Sequence, residues 1–216
     1  MRIIFLSILS VIYLVTVSAQ TPPKPKNVQI TSENGSTTSG AVRDGVFRSE
    51  KYGLSLEIPD KFTIISTAES AVYREAGLDL LKANDKETKK IEEAENRATS
   101  LIAVSAKPFG EPLNSSLEIS AASQQPGVTA SMVLAANVAM FQGSAYALQR
   151  SIPNLKIGVN HYAAADFEVA IGAAKIYQRM YIKMHKGYSI VIVNTHHNNE
   201  QREQIEAMLA KIVFTK

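Results

Sequence analysis

Apolar and polar residues alternate through most of the last third of the chain. Alternation with a period of two is typical of strands that bury one face. It predicts strands at Lys156 to Asn160, Tyr162 to Ile171, Lys175 to His185 and Tyr188 to Thr195. Lys186-Gly187 separates the last two runs, and glycine supplies the positive φ that a two-residue hairpin turn needs. The pattern therefore predicts antiparallel hairpins.

Shorter runs predict strands nearer the beginning of the chain. They are Val46 to Ser49, Leu54 to Ile58, Leu101 to Ala106 and Leu117 to Ser120. A turn at Tyr52-Gly53 joins the first two, and Pro59 ends the second because proline has no N–H for a strand ladder.

Three segments have helical character. Glu75 to Arg97 is highly charged, which predicts a helix on the surface. Thr129 to Tyr146 is apolar and rich in small residues, with Thr129 as its cap, and it suits packing on a sheet. Glu200 to Lys211 follows Asn198 as a cap with Gln201 as its capping-box partner, and Ile212 to Phe214 forms a short last strand. Ile205, Met208, Leu209 and Ile212 share one face of this last helix. The class is α+β, with one curved, mainly antiparallel sheet flanked by helices.

The first nineteen residues, "MRIIFLSILSVIYLVTVSA", have the composition of a signal peptide. Arg2 precedes an apolar run from Ile3 to Val15, and small residues lead to a cleavage point after Ala19. A membrane anchor is the alternative, but the run is shorter than the ~20 residues that span a bilayer. Gln20 to Asp44 is rich in Pro, Ser, Thr and Gly and predicts a flexible tether, so the domain is expected at 45–216.

Composition excludes several classes of site. The chain has no cysteine, so disulfides, thiol nucleophiles, thiolate zinc sites and iron–sulfur clusters are all absent. Its net charge is only +3, and no basic cluster with interleaved aromatic residues stands out, so we expect no nucleic-acid partner. We expect a secreted or periplasmic protein without an integral membrane segment once the signal peptide is removed.

The order of segments resembles the PsbP/DcrB-like superfamily. The resemblance lies in the opening "YGLSLEIPDKF", the strand "DFEV", the hairpin "YQRMYIKMHKGYSIVIV" and the final "IVF", and it spans roughly Gly45 to Phe214. Phe62 stands where tryptophan is common in that superfamily. The resemblance implies an α/β/α sandwich and a secreted, periplasmic or lumenal protein that binds or assists others. It implies no catalytic residues, cofactor or metal.

His196, His197 and Glu200 are the candidates for a metal or acid–base site. In a hairpin that turns at Lys186-Gly187, Tyr177 pairs with His196, and the two histidines point to opposite sides of the sheet. On the same register, His185 lies roughly 26 Å from His196, at ~3.3 Å per residue, too far to share a metal ion. We therefore expect no catalytic, cofactor or metal residues, with a metal-dependent or acid–base hydrolase that uses these three residues as the alternative.

Other polar residues are weaker candidates for a functional site. Acidic pairs occur at Glu92-Glu93 and at Asp166/Glu168, and both suit exposed surfaces better than a catalytic dyad. Asn34 and Asn114 begin glycosylation sequons, which matter only in a eukaryotic host.

One face of the predicted hairpin carries tyrosine and basic residues. They are Tyr177, Arg179, Tyr181, Lys183 and Tyr188. Tyrosine and arginine are enriched at interfaces, so a structural envelope protein that acts through this face is a further alternative. We expect instead that a helix covers the face and that the polar tips reach its rim. The expected function is a non-enzymatic accessory or binding protein, with an envelope or secreted protein as its partner.

Overall fold

The computed structural model describes residues 27–31, 38–66, 68–70, 72, 98–108, 110–142, 144–171 and 174–215. The predicted signal peptide, the predicted helix Glu75 to Arg97 with its acidic pair Glu92-Glu93, and the sequon at Asn34 lie outside these residues. No helix within the described ranges is long and apolar enough to cross a membrane.

Strands form most of the described structure. In chain order the elements are β1 (Asn27–Thr31), β2 (Thr38–Arg43), β3 (Val46–Ser49), β4 (Leu54–Glu57), β5 (Thr63–Ile64), β6 (Thr99–Ser105), β7 (Ser116–Ser123), α1 (Ala130–Met140), β8 (Tyr146–Ile157), β9 (Asn160–Ile171), β10 (Ala174–His185), β11 (Tyr188–His196), α2 (Asn199–Leu209) and β12 (Val213–Phe214).

These strands belong to two antiparallel sheets. The small sheet has the order β1-β2-β3-β4-β12, and the large sheet has the order β5-β6-β7-β11-β10-β9-β8. The predicted α+β class with a mainly antiparallel arrangement is confirmed. The single predicted sheet is divided after β4, where Pro59 interrupts the strand and the chain crosses to pair β5 with β6.

The large sheet buries side chains on both faces. On one face α2 and the small sheet pack over residues such as Tyr181, Ile190 and Ile192. On the other face α1 packs over residues such as Met180 and Val193. Successive residues of a strand point to opposite faces, so β10 contributes to both cores.

The predicted tether at Gln20 to Asp44 is wrong for part of its length. Asn27–Thr31 and Thr38–Arg43 form β1 and β2, and β2 pairs with β3. Val42 is buried, and Gly40 lies against the ring of Phe47, where any Cβ atom would clash. Small residues in this segment join the sheet through backbone hydrogen bonds, and they let neighbouring side chains pack against the backbone. Low apolar content was therefore the wrong basis for predicting a tether.

The helix predicted to reach Tyr146 ends earlier. Thr129 caps α1 as predicted, since its side chain accepts a hydrogen bond from the Met132 N–H. Tyr146 begins β8 instead, with its ring stacked 4.7 Å from that of Phe141. Most of β8 is exposed at the edge of the large sheet, so it lacks the apolar alternation that marks a half-buried strand.

The predicted register of the β10–β11 hairpin is confirmed. His185 pairs with Tyr188 and Tyr177 pairs with His196, around a turn in which both Lys186 and Gly187 have positive φ. The adjoining β9–β10 register also agrees with a turn at residues 172–173, although that turn lies outside the described residues. Both registers follow from the shortest turns that the sequence allows.

Two turn glycines provide a test of packing between the large sheet and α2. Gly158 (φ 57°) and Gly187 (φ 78°) both have left-handed backbones, but a Cβ atom on Gly158 would lie 2.4 Å from the carbonyl oxygen of Ala210. For Gly187 nothing lies within 4 Å. We expect Gly187→Ala to cost about 1–2 kcal/mol of stability from backbone strain alone. Gly158→Ala should cost about 1–3 kcal/mol more because of the clash. Urea unfolding of both variants measures the difference, and equal losses would show that the turn and α2 do not contact each other tightly.

Candidate functional site

The two adjacent histidines have different neighbours. The ring of His196 stacks on that of Tyr177, with their centroids 6.1 Å apart. His197 instead lies near Lys107 and Asn114. The two rings therefore do not converge on one point.

Glu200 does not join either histidine. Its carboxylate is exposed and accepts a hydrogen bond from Gln204 Nε2 at 3.3 Å. His185 lies at the far end of the hairpin, where its Nε2 is 2.9 Å from the carbonyl oxygen of Thr215. Among the described residues no three metal-ligating side chains come together. The geometry thus gives no support to the hydrolase alternative.

The tyrosine-bearing hairpin face is covered, as expected from the sequence. Tyr181 has 0% and Arg179 has 5% of its surface exposed. Ile205, Met208 and Leu209 of α2 belong to the same core as Tyr181. The alternative in which Tyr177, Arg179 and Tyr181 together bind a structural partner is therefore wrong, because two of the three are inaccessible.

Arg179 is the centre of a buried network of charges. Its Nη2 donates to Asp166 Oδ2 at 2.8 Å, and its Nε also donates to Asp166. Its Nη1 donates to Glu206 Oε1 at 2.6 Å. Arg150 reaches Asp166 Oδ2 from β8 at 2.9 Å, and the Tyr181 hydroxyl donates to Glu206 Oε1 at 2.9 Å. One guanidinium thus joins β9, β10 and α2.

The network changes the pKa values of its members. Burial alone would raise the pKa of Asp166, but hydrogen bonds and charge from Arg179 and Arg150 outweigh it and lower that pKa. Burial opposes the charge of Arg179 as well, yet its bond to Asp166 raises its pKa overall. Burial and then the charge of Glu206 raise the pKa of Tyr181 well above its usual value. At neutral pH Asp166 is therefore ionised and Tyr181 keeps its proton.

A cleft of about 440 Å³ opens beside this network. It lies between the large sheet and the start of α2. Its lining residues are Gln149, Asp166, Phe167, Tyr177, Gln178, Arg179, His196, Asn198, Asn199 and Arg202. The cleft thus combines amide side chains, the stacked rings of Tyr177 and His196, and the paired charges around Arg179.

His196 is a strongly perturbed titratable group of the cleft. Only 6% of its surface is exposed, and its Nδ1 has no hydrogen-bond partner among the described residues. Burial, aided by the charges of Arg202 and Arg179, lowers its pKa to about 4. The ring is therefore neutral at pH 7 and forms a rigid base for Tyr177, whose side chain is 38% exposed.

The sequence analysis singled out Asp166 and Glu168 as an acidic pair, not as members of a charge network. Asp166 and Glu168 share a strand face as predicted, but each has a cationic partner, and Glu168 is 2.7 Å from Lys175. The sequence did not single out Glu206 or Arg202. Both lie on the polar side of α2, where charged residues normally face solvent, and only the packing of α2 brings them to Arg179.

Asn114 is not available for glycosylation in the folded domain. It is buried, and its side-chain amide accepts from the Lys107 N–H at 2.8 Å and donates to the Lys107 carbonyl oxygen at 2.8 Å. These bonds close the loop before β7, so a glycan could not be attached without opening that loop.

No family model matches the chain, and no curated protein matches it significantly. Three solved structures are similar at low identity. A protein from Bacteroides thetaiotaomicron matches at 11% identity and a TM-score of 0.47, over 80% of this chain and 48% of its own, so this chain spans about half its length. PA94, a protein of unknown function from Pseudomonas aeruginosa, matches at 12% and 0.43, over 53% of this chain and 82% of its own. LpqN, involved in cell envelope biogenesis of Mycobacterium tuberculosis, matches at 8% and 0.40, over 76% and 83%. Such similarity assigns neither a family nor a function to this chain.

Proposed function

We propose that this chain is a non-enzymatic binding or accessory protein that acts outside the cytoplasm and holds a small, uncharged polar ligand in the cleft beside Arg179. The cleft itself is the observation that carries the proposal. Its volume of about 440 Å³ is within the range of small-molecule sites. The signal-like N-terminus and the resemblance to PsbP/DcrB-like proteins support the location and the absence of catalysis.

The charges of the wall favour an uncharged ligand. Arg179 is matched by Asp166 and Glu206, and Arg150 also pairs with Asp166. Arg202 lies 3.7 Å from Glu203 and 3.9 Å from Glu206. A charged ligand that bound at Arg179 would have to separate it from Asp166 or Glu206, and breaking a buried pair is costly. Hydroxyl or amide groups can bind beside them without doing so.

The remaining lining groups suit such a ligand. Asn198, Asn199 and Gln149 are exposed, and an amide offers donors and an acceptor to hydroxyl or amide groups. Tyr177 presents an apolar ring that is supported from behind by His196. A flat C–H face, as sugars have, would pack on that ring while its hydroxyls reach the amides.

A ligand screen tests the proposal directly. Ligand-observed NMR of the full chain against neutral mono- and disaccharides and uncharged dipeptides is expected to identify binders. Tyr177→Ala should weaken the binding of a hit at least tenfold, because the stacking surface is removed. This tenfold loss corresponds to about 1.4 kcal/mol, within the range for aromatic contacts.

A matched variant controls for effects of the substitution itself. Val159 is 85% exposed in the β8–β9 turn, outside the cleft, so Val159→Ala should leave binding unchanged. Binding that survives Tyr177→Ala, or a screen in which only charged compounds bind, would contradict the proposed site.

A further inference from the structure

Several lysines lie at the opposite end of the β10–β11 hairpin from the cleft. Lys183 places its ammonium 5.0 Å from the ring of Phe214 and 5.9 Å from that of Tyr162. Lys51 lies 5.0 Å from the ring of Tyr52. These ammonium groups contact aromatic rings, and among the described residues no carboxylate forms an ion pair with them.

A groove on the small sheet contains further cations. Arg43, Arg48 and Lys51 line it, with Gly40 and Ala41 in its wall and Glu50 as its acidic member. Arg43, Arg48 and Lys51 are exposed. Within the described ranges none of the three forms an ion pair.

The turn of the hairpin joins the groove to Lys183. A Cβ atom on Gly53 would lie 2.7 Å from Lys186 Nζ, so this ammonium rests directly over the backbone next to Tyr52. The ring of Tyr52 in turn packs 4.8 Å from that of Tyr188. We define the basic end as the five cations Arg43, Arg48, Lys51, Lys183 and Lys186. Within the described part of the chain, Asp44 and Glu50 are the acidic residues adjoining these cations in the sequence, and Glu57 pairs with Lys211.

We propose that the basic end docks the protein on an anionic lipid surface. Five cations spread over two sheets and a turn match a plane of negative headgroups better than one compact ligand. Their aromatic supports are largely buried, with Tyr52 only 2% exposed, so the contact is electrostatic and does not insert rings into the bilayer.

The position of the small sheet in the chain favours a membrane over a soluble polyanion. β1 begins at Asn27, twelve residues after the apolar run Ile3 to Val15 ends, a reach of at most about 40 Å. An apolar run that enters a bilayer would hold Asn27 within this distance of its surface, and Asn27 pairs with Arg43 of the basic end.

Vesicle sedimentation tests the docking. The full chain is mixed with vesicles of phosphatidylcholine alone, or with one third phosphatidylglycerol, at low and high salt. Residues 1–26 are the same in every variant, so differences between variants do not arise from them. We expect extra binding to the anionic vesicles that high salt removes. The double variant R48E/K186E should reduce this excess more than about 25-fold, since each cation near an anionic surface contributes about fivefold.

Matched variants make the result decisive. K61E/K175E changes the net charge equally at exposed lysines outside the basic end, and it should keep most of the excess. If R48E/K186E does not fold, as judged by its thermal unfolding, R48Q/K186Q replaces it with an expected loss of about 25-fold. Equal binding to both vesicles, equal losses in the two double variants, or binding to soluble polyphosphate as strong as to anionic vesicles would each overturn the proposal. Tyr177→Ala should leave vesicle binding unchanged, so this test is independent of the cleft.

Discussion

Replacing Arg179 with methionine is expected to lower the free energy of unfolding by about 3–5 kcal/mol, the cost of breaking a buried ion pair. Methionine replaces the apolar stem of the side chain but leaves Asp166 and Glu206 without their shared guanidinium. The midpoint and slope of urea unfolding measure the loss.

An exposed pair on the same strand is the matched control. Lys175 lies 2.7 Å from Glu168, an ion pair as short as those of Arg179, but its side chain is 63% exposed. Lys175→Met should therefore leave the unfolding midpoint nearly unchanged. Adding D166N and E206Q to Arg179→Met should recover part of the stability, because the uncompensated carboxylates are the source of the cost. Equal shifts for the two methionine variants would show that solvent screens Arg179 as well.

His196 should make stability depend on pH between about 6.5 and 4. Its pKa falls from 6.5 to about 4 on folding, so in this range the unfolded chain binds the extra proton. The stabilising contribution of the neutral ring is complete above pH 6.5 and decreases as the pH falls through this range. The slope is at most about 1.4 kcal/mol per pH unit, and the loss between pH 7 and pH 5 is about 2 kcal/mol.

His196→Phe isolates this contribution. Phenylalanine keeps a flat ring under Tyr177 and cannot take up a proton. Other groups such as Asp166 and His197 titrate in both proteins, so the difference between wild type and variant should vary with pH by the amount that His196 supplies. His161 is exposed, and His161→Phe is the control for replacing a histidine with phenylalanine outside the cleft. Parallel stability curves for wild type and His196→Phe would contradict the lowered pKa.

The sequence predicts local features of this fold well. The β10–β11 register depends on one two-residue turn, and the cap of α2 depends on Asn198, whose Oδ1 accepts from the Gln201 N–H at 2.9 Å. Each is determined within a few residues. The small sheet was partly missed because β2 joins it through small residues and because β4 pairs with β12 across most of the domain.

Only part of the charge network around Arg179 can be predicted from the sequence. The β9–β10 register places Arg179 opposite Asp166, so this half of the network depends on strand pairing alone. Glu206 follows from no register, since its position depends on how α2 lies on the sheet. The cleft is lined by residues of both the large sheet and α2. Its chemistry could therefore be predicted from the sequence only in part.

The pairing of β4 with β12 has a consequence for the timing of synthesis. Leu54 is made well before its partner Phe214, so the small sheet cannot close until both have left the ribosome. Contacts this distant in sequence also form slowly. The first strands of the small sheet therefore remain without their last partner until β12 has been made.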